Sequence, residues 1–314
     1  MLYPGRTHAF QGESETLKSW AAQLATVQVV RAGKNVLYID YEDDERGVVS
    51  RLMAMGLEPH QILEHLTYIR PDEPLRTKND ELTVGGNDFC DVLESRAFAL
   101  AIIDGLTEAM TTEGLDLNSN SDVATWMRRV PRRVAKTGAA VVAIDHLPKA
   151  RNNQGRYSLG GQHKLAGLTG AAYKFSIRRY LSRAIGSQPG EGRVLITVEK
   201  DRPGYVRGWS LGDDHKVGEL VVTSYADGGV TAGIDHVTKG AITNTDLIAR
   251  IIDHLTVYDG SSQTKILEVV GGNTVEVRDT LRMMAGPESG LIEVRKHGQT
   301  YQHWLTDAGR SWSR

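Results

Sequence analysis

Between Gly12 and Ser19 the chain reads Gly-Glu-Ser-Glu-Thr-Leu-Lys-Ser, and this octapeptide restricts the fold more than any other stretch. A glycine, four residues, one more and then Lys-Ser is the spacing of the phosphate-binding P-loop, in which backbone N–H groups and a lysine cradle the terminal phosphates of a nucleotide. Before it, His8-Ala9-Phe10-Gln11 suits a short strand; after it, Leu17, Trp20, Ala21, Leu24 and Val27 recur at helical spacing. The loop therefore ends at a helix N-terminus, where free amides and the helix dipole favour an anion. On this reading Gly12, Glu13, Ser14, Glu15, Thr16, Leu17, Lys18, Ser19 and Trp20 bind ATP, with Lys18 on the β- and γ-phosphates and the Ser19 hydroxyl on Mg²⁺. One position departs from the pattern: Leu17 stands where a second glycine is expected, which implies a negative φ and space for a side chain. A strand–turn–helix carrying a chance Lys-Ser is the plainer alternative.

Two apolar runs downstream end in carboxylates. Asn35 to Asp40 reads as a buried parallel strand that delivers Glu42 to its carboxyl end, the rim where ligands bind in open α/β sheets. A glutamate there can orient and deprotonate a water, whereas Asp43, Asp44 and Glu45 serve better as first-turn charges of a helix from Arg46 to Met55. A third strand fits Leu66 to Arg70, and a helix fits Asp88 to Arg96. Ala99 to Asp104 is four or more apolar residues closed by an aspartate, the arrangement that holds Mg²⁺ through water downstream of a P-loop. Gly105 to Asn120, rich in Gly, Thr and Asn, reads as a loop, followed by a helix capped by Ser121 or Asp122 that runs toward Lys136 with a kink at Pro131. Ala139 to Asp145 repeats the buried-strand pattern and sets His146 at its end, where a polar group can contact a γ-phosphate, or only cap the strand.

From His146 to Pro189 there is no Asp or Glu, yet eight Lys and Arg occur, in a chain of net charge −2. Within the Gly/Asn/Gln-rich first part, Lys149, Arg151, Arg156 and Lys164 are candidates for gripping the phosphate backbone of single-stranded DNA; a solvated basic loop or a subunit contact is the competing reading. Arg193 to Glu199 and Val206 to Leu211 flank Lys200-Asp201-Arg202-Pro203-Gly204, which reads as a hairpin that projects Lys200 and Arg202 from a sheet edge. Gly212 to Gly240 reads as an irregular strand-and-linker region.

Composition limits the rest. The 314 residues accommodate one large and one small domain, and 40% hydrophobic with 24% charged residues is ordinary for a soluble globular chain. The single cysteine, Cys90, excludes internal disulfides and cysteine-based zinc sites and suits a reducing cytoplasm; no apolar run is long enough for a membrane span. From Ala241 three helical patterns precede two β-like runs, the order of a winged helix. Eight Lys and Arg against nine Asp and Glu over 241–314 leave that part neutral, so protein docking rivals DNA binding there.

Taken together, residues 5–212 resemble the RecA-like hexameric replicative ATPases of plasmids and phages, of the plasmid RepA type, with DnaB-type helicases more distant. The likeness rests on Gly12 to Ser19, Glu42, Asp104, His146 and the turn at 200–204. It implies an α/β fold, a RecA-like P-loop NTPase core with a mainly parallel sheet over residues 1–212; the strand-and-linker region at 213–240 and the small winged-helix-like domain at 241–314 lie outside the likeness. It further implies ATP and Mg²⁺ at a subunit interface, Glu42 as catalytic base, Asp104 on the metal, His146 as γ-phosphate sensor, and Lys200 or Arg202 acting on the neighbour's nucleotide. The function so implied is an oligomeric, hexameric motor on single-stranded DNA, a replicative helicase that works with an initiator or primase. A RecA-type recombinase or nucleotide-switched loader shares the core, and a winged-helix regulator with a nucleotide-sensing P-loop is the reading from another class.

Overall fold

Alternation along the central strands explains how one sheet serves two cores. Val36 and Tyr38 of β2 (Val36–Asp40) pack on one face and Leu37 and Ile39 on the other, the period-2 consequence of a strand buried on both sides. The computed structural model describes residues 1–147, 165–212, 215–235, 245–271, 274–287, 289–298 and 300–312. The chain separates into two units, 1–236 and 237–314.

In the first unit a nine-stranded sheet has the order β3-β2-β4-β5-β1-β6-β7-β8-β9. β1 (Thr7–Gly12), β3 (Leu66–Ile69), β4 (Leu100–Asp104), β5 (Ala140–His146) and β6 (Ala171–Arg179) join β2 in a parallel array. β7 (Gly190–Asp201), β8 (Lys216–Ser224) and β9 (Val230–Asp235) continue it antiparallel. The fold is the α/β, mainly parallel RecA-like arrangement. α1 (Lys18–Arg31), α2 (Glu45–Ala54) and α3 (Pro59–His65) cover one face. α4 (Val84–Ser95), α5 (Leu106–Thr112), α6 (Asn120–Arg129) and α7 (Pro131–Ala135) cover the other, around the buried Trp126.

Several segments differ from the sequence reading. Residues 106–112, read as loop, form α5, because Leu106, Ala109 and Met110 lie on one helical face and are buried. The long helix toward Lys136 is two: Ser119 caps α6 by accepting from the Asp122 N–H, and Pro131, at the first turn of α7, supplies no N–H for continuation. The partner of β7 in a hairpin is β8, not 206–211; Gly204, at φ 85, starts a short helix instead, α8 (Tyr205–Trp209). β7 is therefore interior to the sheet, and the region from 212 that reads as irregular contributes β8 and β9.

The second unit has its own core, built by α9 (Thr245–Val257), α10 (Gln263–Val270) and α11 (Thr274–Met284) around Ile251, Leu255, Ile266 and Leu281. A three-stranded antiparallel sheet, β10 (Ser261–Ser262), β12 (Thr300–Leu305) and β11 (Ile292–His297), completes the winged-helix-like order, followed by α12 (Asp307–Arg310).

Candidate nucleotide site

Parallel strands place their carboxyl ends on one rim, and β1, β2, β4 and β5 deliver Gly12, Asp40, Asp104 and His146 there. After Gly12 the chain turns back closely on β6: a Cβ at Gly12 would lie 2.7 Å from the Phe175 carbonyl and 2.7 Å from Thr16 Oγ1, so only glycine fits. Leu17 corrects the sequence reading. Its φ is +57, with Glu15 at +66, so the loop keeps the left-handed geometry of a glycine without one. Left-handed residues in alternation turn successive amides toward one point, an anion-binding nest. The left-handed conformation costs about 1–2 kcal/mol for an L-residue, and burying a leucine returns about 1.5–3 kcal/mol. The Leu17 side chain is buried in the core under α1, which is how the loop tolerates it.

Lys18 is buried at the loop's centre. Its ammonium donates to Gly12 O at 3.0 Å, Glu13 O at 2.6 Å and Thr16 Oγ1 at 3.2 Å. Desolvation lowers its pKa to about 8, opposed by the charges of Glu42, Asp104 and Asp145. A cleft of about 580 Å³ opens beside it, lined by Thr16, Lys18, Ser19, Trp20, Arg51 and His146 among others.

Asp104 closes β4 and is buried. Tyr38 donates its phenol O–H to Oδ2 at 3.0 Å, and the Ser19 hydroxyl bonds to the carboxylate. Burial pushes its pKa up to about 6, with the Glu42 charge adding to the rise. Among the described residues Oδ1 has no hydrogen-bond partner. An orphaned buried carboxylate oxygen next to a P-loop serine is the hard-oxygen donor set Mg²⁺ takes, so Ser19 and Asp104 fit the ion the sequence implies. Among the described residues no cluster of three His, Cys, Asp or Glu forms an all-protein metal cage.

Glu42 is aimed by its neighbour Asp40, which accepts from the backbone N–H of Glu42 at 3.0 Å and of Asp43 at 2.9 Å and from the Tyr68 phenol at 3.2 Å. The Glu42 carboxylate meets His146 Nε2 at 3.0 and 3.1 Å. This hydrogen bond holds the Glu42 pKa below its ordinary value and raises that of His146. Sequence reasoning missed Glu108, in the first turn of α5, which hydrogen-bonds Glu42 and whose own pKa is raised by burial and by that neighbour. Gly105 makes the approach feasible, since a Cβ there would lie 2.0 Å from Glu42 Oε1 and 3.1 Å from Glu108 Oε2. Asp43 and Asp44 do what first-turn acids do: Asp43 pairs with Arg51 at 2.6 Å, and Asp44 caps α2 by accepting from the Gly47 N–H.

Lys200 and Arg202 lie elsewhere. Asp201 is paired with Ala171 at the start of β6, and the Arg202 N–H donates to Gly170 O while Gly170 N–H donates to Thr7 O. Arg202 thus sits level with Thr7, the first residue of β1, and Lys200, paired with Ala172, sits level with Ala9, whereas the P-loop follows the last residue of β1, roughly 20 Å along the strand from the level of Arg202. The Lys200 ammonium is engaged by the carbonyls of Leu165, Ala166 and Leu168 at 2.5, 3.1 and 3.0 Å. Asp201 accepts from the Tyr3 phenol and the Arg207 N–H, not from Arg202, which is exposed. Lys149, Arg151, Arg156 and Lys164 lie outside the described residues.

Residues 1–152 match a family model described as an AAA domain. The match supports an AAA-type P-loop ATPase domain over those residues. No curated protein matches the chain. No helix among the described residues is long and apolar enough to cross a membrane.

Proposed function

We propose that the chain is an ATP-hydrolysing, oligomeric motor on single-stranded DNA, a replicative helicase of the phage and plasmid kind, with each ATP held between two subunits of a hexamer. In this reading Lys18 and the amides from Glu13 to Ser19 bind the phosphates, and Glu42, kept ionised by His146, takes the proton of the attacking water. Ser19 and Asp104 would hold Mg²⁺, which would supply charge neutralisation to the bound phosphates. The single observation that carries the shared site is the placement of Arg202: it is level with Thr7 on the rim opposite its own P-loop and is exposed. From there it serves a neighbour's γ-phosphate, where an arginine supplied in trans contributes about 10³–10⁵ in rate. Tyr205 and Trp209, 73% and 88% exposed on α8 beside it, supply the aromatic surface a subunit contact covers. Lys200, committed to three carbonyls of its own chain, steadies that rim and leaves the trans role to Arg202.

The test is a mixing experiment. Arg202→Ala and Lys18→Ala subunits, each inactive alone, should regain partial ATPase when combined, because some interfaces then join an intact P-loop to an intact arginine. Mixed oligomers without activity would place the arginine's action in cis or nowhere. Strand displacement on a forked duplex separates a helicase from a recombinase or loader that shares the core. A sequence-specific duplex footprint would instead favour a regulator whose winged helix reads DNA.

A further inference from the structure

On the face of the sheet covered by α4 to α7, a groove of about 750 Å³ opens between the turn at residues 76–82 and the junction of α6 with α7. Arg76, Arg128, Arg129, Arg133 and Lys136 line it, together with Thr125 and a single carboxylate, Asp80. Thr125, Arg129 and Arg133 follow at helical spacing and Lys136 one turn on; because α7 starts directly after α6, one row of cations runs across the break. Carboxylates neutralise only part of it. Arg129 bonds Asp80 at 2.9 Å and Glu113 at 3.5 Å, and Arg76 leans on Asp80 at 3.8 Å. Among the described residues Arg128 reaches only the Thr125 hydroxyl at 3.2 Å and Arg133 only the Cys90 sulfur at 3.0 Å, both neutral acceptors, and Lys136 is exposed. Two exposed cations, Arg128 and Lys136, and the half-buried Arg133 thus share one groove with no carboxylate partner among the described residues, in a chain whose net charge is −2.

Cations at the last turns of α6 and α7 also satisfy those helix dipoles, a role open to Arg128 and Arg129 on the first and to Arg133 and Lys136 on the second, although α7 is only five residues long. It does not account for Arg76 on a separate turn, or for the convergence of all five cations on one groove. The lining also decides the class of partner. It contains no aromatic and no aliphatic side chain, so it offers neither the apolar anchors that carry protein interfaces nor a wall on which a nucleobase stacks. Guanidinium forks without such anchors suit phosphate oxygens, bound bidentately and without regard to sequence.

We propose that this groove is a second nucleic-acid contact, gripping the phosphodiester backbone through Arg128, Arg133 and Lys136. It stands apart from the P-loop rim, since α7 leads into the amino end of β5. It rests on the motor reading only for the presence of a nucleic acid.

The test uses the full chain and a fluorescein-labelled random-sequence oligonucleotide of roughly 30 nucleotides, followed by anisotropy from about 50 to 300 mM NaCl. Three phosphate contacts contribute about 2 to the log–log salt slope on a single strand, at about 0.7 each. The combined variant Arg128→Ala, Arg133→Ala, Lys136→Ala should therefore flatten the slope by about 2 and weaken binding at least tenfold at low salt, with ATP affinity unchanged. If that variant fails to fold, the exposed single changes Arg128→Glu and Lys136→Glu should each weaken binding and flatten the slope. Unchanged affinity and slope in a folded variant, while the wild-type chain binds, would overturn the groove and leave the motor reading intact. A wild-type chain that binds no oligonucleotide would overturn both. A glutamate-rich peptide that binds as tightly as the oligonucleotide, and is lost in the same variant, would overturn the groove in favour of a protein dock.

Discussion

His146 Nε2 lies 3.0 Å from Glu42 Oε1, so the residue that ends β5 holds the carboxylate that follows β2, across the width of β4. The bond is the largest cause lowering the Glu42 pKa. Glu42 is thereby ionised across the neutral range, as a base must be. Removing the imidazole in His146→Ala should let the Glu42 pKa rise, so the acidic limb of the kcat–pH profile should move to higher pH. Glu42→Gln should bind ATP like the wild type and lose turnover by about 10²–10⁴, the range for a lost general base. An unmoved acidic limb in His146→Ala would remove His146 from this role.

Glu108 adds a second hold on the same carboxylate. Burial and the neighbouring Glu42 raise the Glu108 pKa, and the contact between the two carboxyl groups lowers that of Glu42. Glu108→Gln, which retains a donor, should keep most of the turnover. Glu108→Ala should lose roughly tenfold, about 1.4 kcal/mol in barrier, with an acidic limb displaced upward. Equal kcat–pH profiles for the two variants would reduce Glu108 to packing.

The main elements were legible because burial on both faces of a parallel sheet forces apolar runs, and the polar groups at their ends stand out: Asp40, Asp104 and His146 all lie where the runs stop. Glu108 and α5 escaped because Thr107, Glu108, Thr111 and Thr112 dilute a helical face of three apolar residues. Lys200 and Arg202 were legible as a pair but not as different in role, since three carbonyl acceptors from residues 165–168 reach Lys200 only through tertiary folding. The groove at Arg128 to Lys136 escaped for a related reason: its fifth cation, Arg76, lies about fifty residues away in sequence and nothing local links them.

Leu17 offers a separable test of backbone and side chain. Leu17→Gly relieves a left-handed residue at about 1–2 kcal/mol and forfeits burial of about 1.5–3 kcal/mol. The variant should therefore stay within about 1–2 kcal/mol of wild-type stability and keep its ATP affinity. Leu17→Val puts a β-branched residue at φ +57, an outlier conformation for that side chain. It should be the more destabilised of the two in urea titration and should bind ATP more weakly. The reverse order would mean that the loop does not hold the left-handed geometry.

Two buried groups, on the strands that flank β5, give stability opposite dependences on pH. His8 uses both ring nitrogens as a neutral imidazole: Nδ1–H donates to Val141 O at 3.0 Å and Nε2 accepts from the Tyr3 N–H at 2.9 Å. A second ring proton would face that N–H, and desolvation lowers the His8 pKa from 6.5 to about 4. The unfolded chain therefore binds the extra proton between those values. Stability from His8 is complete above 6.5 and is lost as pH falls toward 4, by about 3 kcal/mol at 1.36 kcal/mol per unit. Asp104 acts the other way. Its pKa rises from 3.8 to about 6, so the folded chain binds the proton first, and ionisation at neutral pH costs about 3 kcal/mol that is recovered as pH falls through 6. The two contributions nearly cancel between pH 4 and 6, and single variants should expose each in turn. Relative to wild type, Asp104→Asn should be more stable at pH 7 by about 1–3 kcal/mol, lose that advantage on acidification, and lose Mg²⁺-dependent hydrolysis. His8→Leu should remove the opposite slope, so that its deficit against wild type at pH 7 shrinks by about one proton's worth of slope as pH falls from 6.5 to 4. Urea midpoints at a series of pH values measure both, and parallel curves for wild type and His8→Leu would show that His8 titrates normally in the folded chain.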